Sequence, residues 1–308
     1  NFMAIQWFPG HMHRARTQIA ELMPQIDLVI EVLDARLPYS SENPLIPDLS
    51  AGKTILKLLN KADLADETHT KAWIEHYNSL PNTRAMAITG LDKKQVKSIT
   101  KFCLNLFPDR GAQKKAIRAM ILGIPNVGKS TLVNSLAGRM IAKAGNTPAL
   151  TRHPQHIKIA DGIVLSDTPG MLWPKIHNIA SGFRLAASGA VRDTALEYFE
   201  VAEYTANMLL QLYPEVLKAR YKIDELPKTG ELLIELIGRK RGFLRAGGVV
   251  DVHKAAEILI HELRGGKMGR VSYETPEMKI EEEQALVILA QVKAKEDQEK
   301  KDRKKPQR

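Results

Sequence analysis

The spacing of apolar and polar positions divides this chain in two. Between residues 28 and 170, short runs rich in aliphatic and β-branched residues end in polar or glycine-bearing loops: "DLVIEVLDA", "KTILKLLN", "TRAMAIT", "IRAMILGI" and "GIVLSDTPG". Such runs predict strands. Stretches with helical spacing lie between several of them, at 67–79, 93–107 and 129–136. This alternation predicts an α/β fold, a mostly parallel sheet with helices on both faces, in which ligands gather at the carboxyl ends of the strands.

After about residue 180 the strand pattern stops. "DTALEYFEVAEYTANMLLQLYPEVLKARY" and "DVHKAAEILIHELRGG" carry apolar residues at helical intervals, and the second closes on glycines suited to a helix stop. A small all-α domain is therefore expected over 181–285, after an α/β domain over 1–180. Residues 286–308 are expected as a basic tail, because "VKAKEDQEKKDRKKPQR" has no apolar face to bury; a frayed helix end or a disordered segment is the expectation there.

Composition narrows the class of partner. Lysine and arginine number 45 against 35 aspartates and glutamates, a net charge of +10. That balance suits an anionic partner, nucleic acid first. A single cysteine, Cys103, excludes an internal disulfide and a cysteine-rich zinc site. No apolar run approaches the roughly 18 residues of a membrane span. The expected setting is the cytoplasm.

Three motifs carry the chemistry. "GIPNVGKST" at 123–131 fits G-x-x-x-x-G-K-S between a predicted strand and a predicted helix. Glycines there turn backbone N–H groups toward a β-phosphate, and the helix N-terminus adds positive potential. Lys129 can reach the β- and γ-phosphates and the Ser130 hydroxyl can ligate magnesium. "DTPG" at 167–170 would add a second magnesium contact through Asp167, with the Gly170 amide sensing the γ-phosphate. Thr151 in "TPALTRHPQ" is the candidate switch threonine on the same magnesium. The cradle thus comprises Asn126, Val127, Gly128, Lys129, Ser130, Thr131, Thr151 and Gly170.

The third motif, Asn60-Lys61-Ala62-Asp63, follows the strand "KTILKLLN". Asp63 can accept both the ring N–H and the exocyclic amine of guanine, a pattern adenine does not offer. Asn60 can bond the other edge of the base and the Lys61 stem can cover the ring. The Ser-Ala pair that often completes such a site has only Ile88-Thr89 as its echo, after "TRAMA".

In an ordinary GTPase the phosphate loop precedes the base loop; here it comes some sixty residues later. Circular permutation reconciles this, because domain termini lie at the surface and can be rejoined. The segment 93–107 and the linker "PDRGAQKKA" would join the old end to the old beginning, and the second switch would run straight into the helical domain.

With these motifs in place the chain resembles the circularly permuted GTPases, and among them the ribosome biogenesis GTPase A (YlqF/RbgA) family. The resemblance spans nearly the whole chain and rests on "IQWFPGHM" at 5–12, "DARLPYSSENP" at 34–44, "LNKADL", "GIPNVGKST", "DTPGMLWP" at 167–174 and "GFRLAASGAV" at 182–191. It implies a GTP hydrolase acting late in assembly of the large ribosomal subunit, binding GTP, GDP and ribosomal RNA, monomeric off the ribosome. Where Ras-like GTPases place a water-orienting glutamine, this chain has the apolar Met171. The family is thought to use a histidine of the "PGHM" segment instead, which maps onto His11 as the catalytic candidate. Asn126 matches an asparagine that helps hold a potassium ion in related GTPases. One departure is Ala149 in "PALT", where family members usually carry glycine.

The basic runs "GRKRGFLRAGG" and "RGGKMGR" offer Arg239, Lys240, Arg241, Arg245, Arg264, Lys267 and Arg270 as candidates for RNA phosphates, with Arg14 and Arg16 near the N-terminus. Two other readings stay open on the residues: a GTP-gated RNA-binding module in which hydrolysis is not essential, and an ATP-using P-loop enzyme, against which Asp63 argues.

Overall fold

The computed structural model describes residues 17, 19–50, 52–89, 93–110, 115–138, 155–160, 162–167, 178–190 and 198–303; at 93, 155, 156, 160, 167 and 297–303 only the backbone course is described. His11, Thr151, Gly170 and Met171, like Arg14, Arg16 and Ala149, lie outside these residues.

Six strands form one sheet in the order β3-β2-β1-β4-β6-β5: β1 Leu28–Asp34, β2 Thr54–Asn60, β3 Thr83–Ala87, β4 Ile117–Gly123, β5 Gln155–Ala160 and β6 Ile163–Asp167. All neighbouring pairs are parallel except β5 with β6. The predicted strands sit where expected. The sequence pattern missed β5, whose "QHIKIA" alternates Ile157, buried, with Lys158, exposed. Such alternation fits an edge strand covered on one face, and its brevity hid it among turn residues.

β1 and β4 meet at the centre, with β2 and β3 on one side and β6 and β5 on the other. Strand order in a sheet does not depend on where the chain is cut. Begun at β4, this sheet would have its phosphate loop first and its base loop later, so the rotated motif order is a change of wiring on an unchanged scaffold.

Central strands buried on both faces explain their nearly unbroken apolar runs. Two of the charged residues in the sheet pair with each other there. Glu31 of β1 lies in register with Lys57 of β2, and Lys57 Nζ donates to Glu31 Oε2 at 2.6 Å and to Glu42 Oε2 at 3.2 Å. Burial pushes the Glu31 carboxyl up, against the pull of Lys57. Each charge is tolerated there because the other is beside it.

On the sheet lie the helices α1 Pro38–Ser41, α2 Ile46–Leu49, α3 Glu67–Ser79, α4 Lys93–Asn105 and α5 Lys129–Ala137. The second half of the chain forms α6 Ile179–Ser188, α7 Tyr198–Leu212, α8 Pro214–Tyr221, α9 Gly230–Lys240, α10 Val252–Arg264 and α11 Pro276–Arg303. The helical run expected through 221 is broken at Tyr213, because Pro214 cannot continue α7 and instead starts α8. The expected boundary at 180/181 falls inside α6. Residues 286–303, expected as the start of a tail, continue α11. Apolar side chains of the helical half, such as Leu209, Leu233 and Ile260, form one connected cluster with Leu28, Ile30 and Val32 of the sheet.

Candidate functional site

The phosphate loop is built locally. β4 ends at Gly123, where an added Cβ would press on the Val32 carbonyl at 3.0 Å and on the Val127 side chain at 3.1 Å. Asn126 and Gly128 adopt φ of 64° and 95°, the left-handed conformations that turn the chain back toward the start of α5. Lys129, Ser130 and Thr131 are then the first three residues of α5, where unpaired N–H groups and the helix dipole favour an anion. Lys129 is buried, Ser130 half-buried and Thr131 exposed.

The base loop leaves the neighbouring side of the sheet, at the end of β2. Asn60 Nδ2 donates to the Val127 carbonyl at 2.7 Å, and Lys61 Nζ donates to the Asn126 carbonyl at 2.9 Å. Two motifs separated by more than sixty residues, and in rotated order, are thereby in direct contact. A side chain at Gly128 would overlap the Asn60 amide, so this glycine serves the contact as well as the turn. Lys61 itself holds a left-handed φ of 58°. Ala62 donates its amide to the Ile88 carbonyl at 3.1 Å, which places Ile88 and Thr89 beside the base loop, Ile88 buried and Thr89 exposed. Asp63 is exposed at the tip of the turn. Asp66 closes the loop by accepting the Thr68 and His69 amides at the start of α3, at 2.8 and 3.2 Å.

Beneath the loop sits a group that the sequence reading passed over. Asp34, at the end of β1, takes both forks of Arg36, at 3.0 and 2.8 Å, and also the Lys61 ammonium at 3.3 Å. Burial opposes its ionisation, yet Arg36 and Lys61 hold its carboxyl down at about 2. "DARLP" was legible as a motif, but its side-chain partner Lys61 lies in the loop after another strand.

Of the residues expected to ligate magnesium, Thr151 lies outside the described residues, while Ser130 and the backbone of Asp167 are described. Ser130 follows β4, and Asp167 ends β6 in register with Ile121 of β4, so both stand at the carboxyl ends of adjacent parallel strands. A hydroxyl and a carboxylate are oxygen donors of the kind magnesium takes. Among the described residues no cluster of three His, Cys, Asp or Glu could hold an ion alone. An ion here would complete its shell with phosphate oxygens and water, the usual arrangement for magnesium at a nucleotide. Asn126 Nδ2 donates to the Gly189 carbonyl at 3.1 Å, which ties the phosphate loop to the end of α6.

The candidate RNA residues separate into two groups. Arg264 faces inward, donating to the Ala187 carbonyl at 3.0 Å and the Ala186 carbonyl at 2.7 Å, which caps α6. Arg270 bonds the Ala65 and Ala62 carbonyls of the base loop, at 2.8 and 3.0 Å. The run of charge was visible in sequence; the direction of these two side chains was not. Arg239, Lys240, Arg241, Arg245 and Lys267 are exposed, as is Arg270 despite its two bonds. Arg239 and Arg245 pair with Glu235 and Asp251, while Arg241 bonds Glu262, whose carbonyl accepts the Lys267 amide.

Comparison with known proteins agrees with this geometry. A model of the 50S ribosome-binding GTPase family matches residues 118–225, a span that opens on the phosphate-loop strand and leaves the base loop outside, on its N-terminal side. Ribosome biogenesis GTPase A of Bacillus cereus is 45% identical over 282 residues, covering 89% of this chain and 95% of that protein. Ribosome biogenesis GTPase A of Thermotoga maritima is 32% identical over 273 residues, covering 89% and 95% respectively. A GDP-bound YlqF structure superimposes with a TM-score of 0.61 at 30% identity, covering 84% of this chain and 99% of that one.

Proposed function

The chain belongs to the ribosome biogenesis GTPase A family, and from that premise we propose that it hydrolyses GTP as an assembly factor in late maturation of the large ribosomal subunit. The observation that carries the nucleotide half of this reading is the pair of bonds from Asn60 and Lys61 to the phosphate-loop carbonyls. It joins a phosphate cradle to a loop whose Asp63 suits guanine. In this reading Lys129 neutralises the β- and γ-phosphates, while Ser130, Asp167 and Thr151 hold magnesium. Bound there, magnesium would supply positive charge to the transferring phosphoryl group. Met171 leaves the water-orienting role to another residue, and His11 takes it. Asn126 contributes to a potassium site, and Gly170 senses the γ-phosphate.

The ribosomal half rests on the family and on charge. Arg239, Lys240, Arg241, Arg245 and Lys267, exposed at the end of α9 and in the loops after α9 and α10, are the groups proposed to meet RNA phosphates in a GTP-dependent way. Arg264 is left out of this surface because its guanidinium group is bonded inward, and Arg270 because, though exposed, it already donates to two base-loop carbonyls.

The test is GTP turnover in potassium buffer, with and without purified large ribosomal subunits, for wild type and His11→Ala. Stimulation by the particle that disappears in the variant is the expected result. Stimulation that survives keeps the ribosomal role and removes His11 from the chemistry. Tight GTP binding with no stimulation would favour the gated RNA-binding module instead. One contact speaks for that second reading: Asn126 already links the phosphate loop to the helical half through Gly189, with no hydrolysis required.

A further inference from the structure

The base loop is gripped from a second side. Four hydrogen bonds reach residues 62–66 from the turn and strand-like segment after α10. Arg270 Nη2 donates to the Ala62 carbonyl at 3.0 Å and its Nε donates to the Ala65 carbonyl at 2.8 Å. The Val271 amide donates to the Leu64 carbonyl at 3.0 Å, and the Asp66 amide donates to Ser272 Oγ at 3.1 Å. The carbonyls on both sides of Asp63 are therefore held by the helical half of the molecule.

The fit between these segments is close. Gly266 has a φ of +68°, and a Cβ there would approach Leu64 Cδ2 at 2.8 Å, so a glycine lets the turn lie on the loop. Tyr213, at the break between α7 and α8, bonds both segments: its hydroxyl accepts the Ser272 amide at 2.9 Å and reaches Asp66 Oδ2 at 3.4 Å. Glu274 anchors the far end, bonded to Ser40 and to Arg184 of α6. A loop that carries a lysine at positive φ needs surroundings that determine its shape, and much of that support comes from outside the sheet.

We propose that Arg270 is a positioning residue for guanine discrimination: by holding the Ala62 and Ala65 carbonyls it fixes the turn that aims Asp63 at the ring N–H and exocyclic amine of the base. The inference rests on the reading of Asp63 given above and extends it. A carboxylate that must accept two bonds at once tolerates little displacement, so loosening the turn costs the second bond before the first. The helical half then sets the selectivity of the site as well as receiving its signal. By linkage, a guanine nucleotide in the site, whether GDP or GTP, favours docking of segment 270–274 on the loop.

The experiment compares binding of GDP and of inosine diphosphate, which lacks the exocyclic amine, to the full chain carrying Arg270, Arg270→Ala or Arg270→Lys. Isothermal titration gives the affinities, and thermal unfolding of the nucleotide-free proteins checks that each is folded. Wild type prefers GDP. In Arg270→Ala GDP binding weakens about tenfold and inosine diphosphate about threefold, so the preference narrows. Arg270→Lys keeps the charge but not the fork, and its preference falls between; it carries the test if the alanine variant does not fold. A preference equal to wild type in the folded variants, whatever the change in absolute affinity, overturns the proposal and leaves Arg270 a docking contact only. Equal binding of both nucleotides by wild type would instead overturn the reading of Asp63, a failure distinguishable from the first.

Discussion

The two loops that meet at the nucleotide are held by different means. The phosphate loop takes its shape from its own residues: Gly123 and Gly128 where backbone approaches or turns, and a helix that begins at once on Lys129. The base loop takes its shape from elsewhere. Asn60 and Lys61 hang on the phosphate loop, Asp34 and Arg36 sit beneath, and Arg270 to Ser272 grip the other side. Chemistry common to many nucleotide enzymes can be carried by a portable local motif. The loop proposed to read the base is here held by three regions of the chain, and so it is exposed to changes far from the site.

The strongest test of that contrast removes the anchor of the grip. Arg184 is buried and bonds Glu274 and Glu282. Burial pushes the Glu274 carboxyl up even with Arg184 beside it, so Arg184→Ala leaves that buried group without its cation, held by the Ser40 amide and hydroxyl alone. Loss of one partner of a buried pair costs about 3–5 kcal/mol, to be read from denaturant unfolding. Hydrogen exchange in the folded variant should rise over residues 60–66 while residues 123–131 keep their protection; equal loss in both would erase the distinction between the loops.

A second substitution attacks the phosphate loop on its own terms. Gly128→Ala forces a side chain into the Asn60 amide at a φ of +95°. Backbone strain and the lost Asn60 bond together amount to about 3 kcal/mol, or roughly a hundredfold in GDP affinity by titration. Retained affinity would mean that the loop's geometry is not what holds the nucleotide.

The smallest effect concerns the support under Lys61. The Asp34 carboxyl lies at about 2 instead of the ordinary 3.8. A carboxyl depressed on folding stabilises the protein fully above its unfolded value and loses that contribution as pH falls through its folded one. The stabilisation is worth about 2 kcal/mol and drains away between pH 4 and pH 2. The gap in unfolding free energy between wild type and Asp34→Asn should therefore shrink across that window. A gap that is constant with pH would show that the pairing with Arg36 and Lys61 contributes nothing.

How much of this was legible beforehand follows the same division. The five parallel strands, the positions of α3 and α5 and the phosphate cradle could be read from residue order, because each is dictated by neighbours within about ten residues. The edge strand β5 was lost among turn residues, and the helical run through 221 was read without its break at Pro214. The expected boundary at 180/181 lies within α6, a helix whose Phe183 stacks on Tyr204 of α7 at 5.0 Å while its Ser181 hydroxyl accepts from Ser40 at 3.1 Å. Residues 286–303, expected as a frayed helix end or a disordered tail, continue α11, whose first turns are tied down by Lys279 on Glu42 and Glu282 on Arg184.

Taken alone, the sequence determined the class of fold, the rotated order of the motifs and the residues proposed to meet phosphate and guanine. These are properties of local pattern and of side-chain chemistry, which a linear chain displays in full. Tertiary structure alone decided where the long cationic side chains go. Arg264 and Arg270 belong to one basic run with Lys267, yet Arg264 turns inward, Arg270 bonds the base loop while still exposed and Lys267 faces water, because carbonyls at the end of α6 and in the base loop lie within reach of two of them. Which carbonyl lies within reach of which guanidinium depends on contacts between segments some 80 and 200 residues apart, and spacing along the chain carries no trace of that.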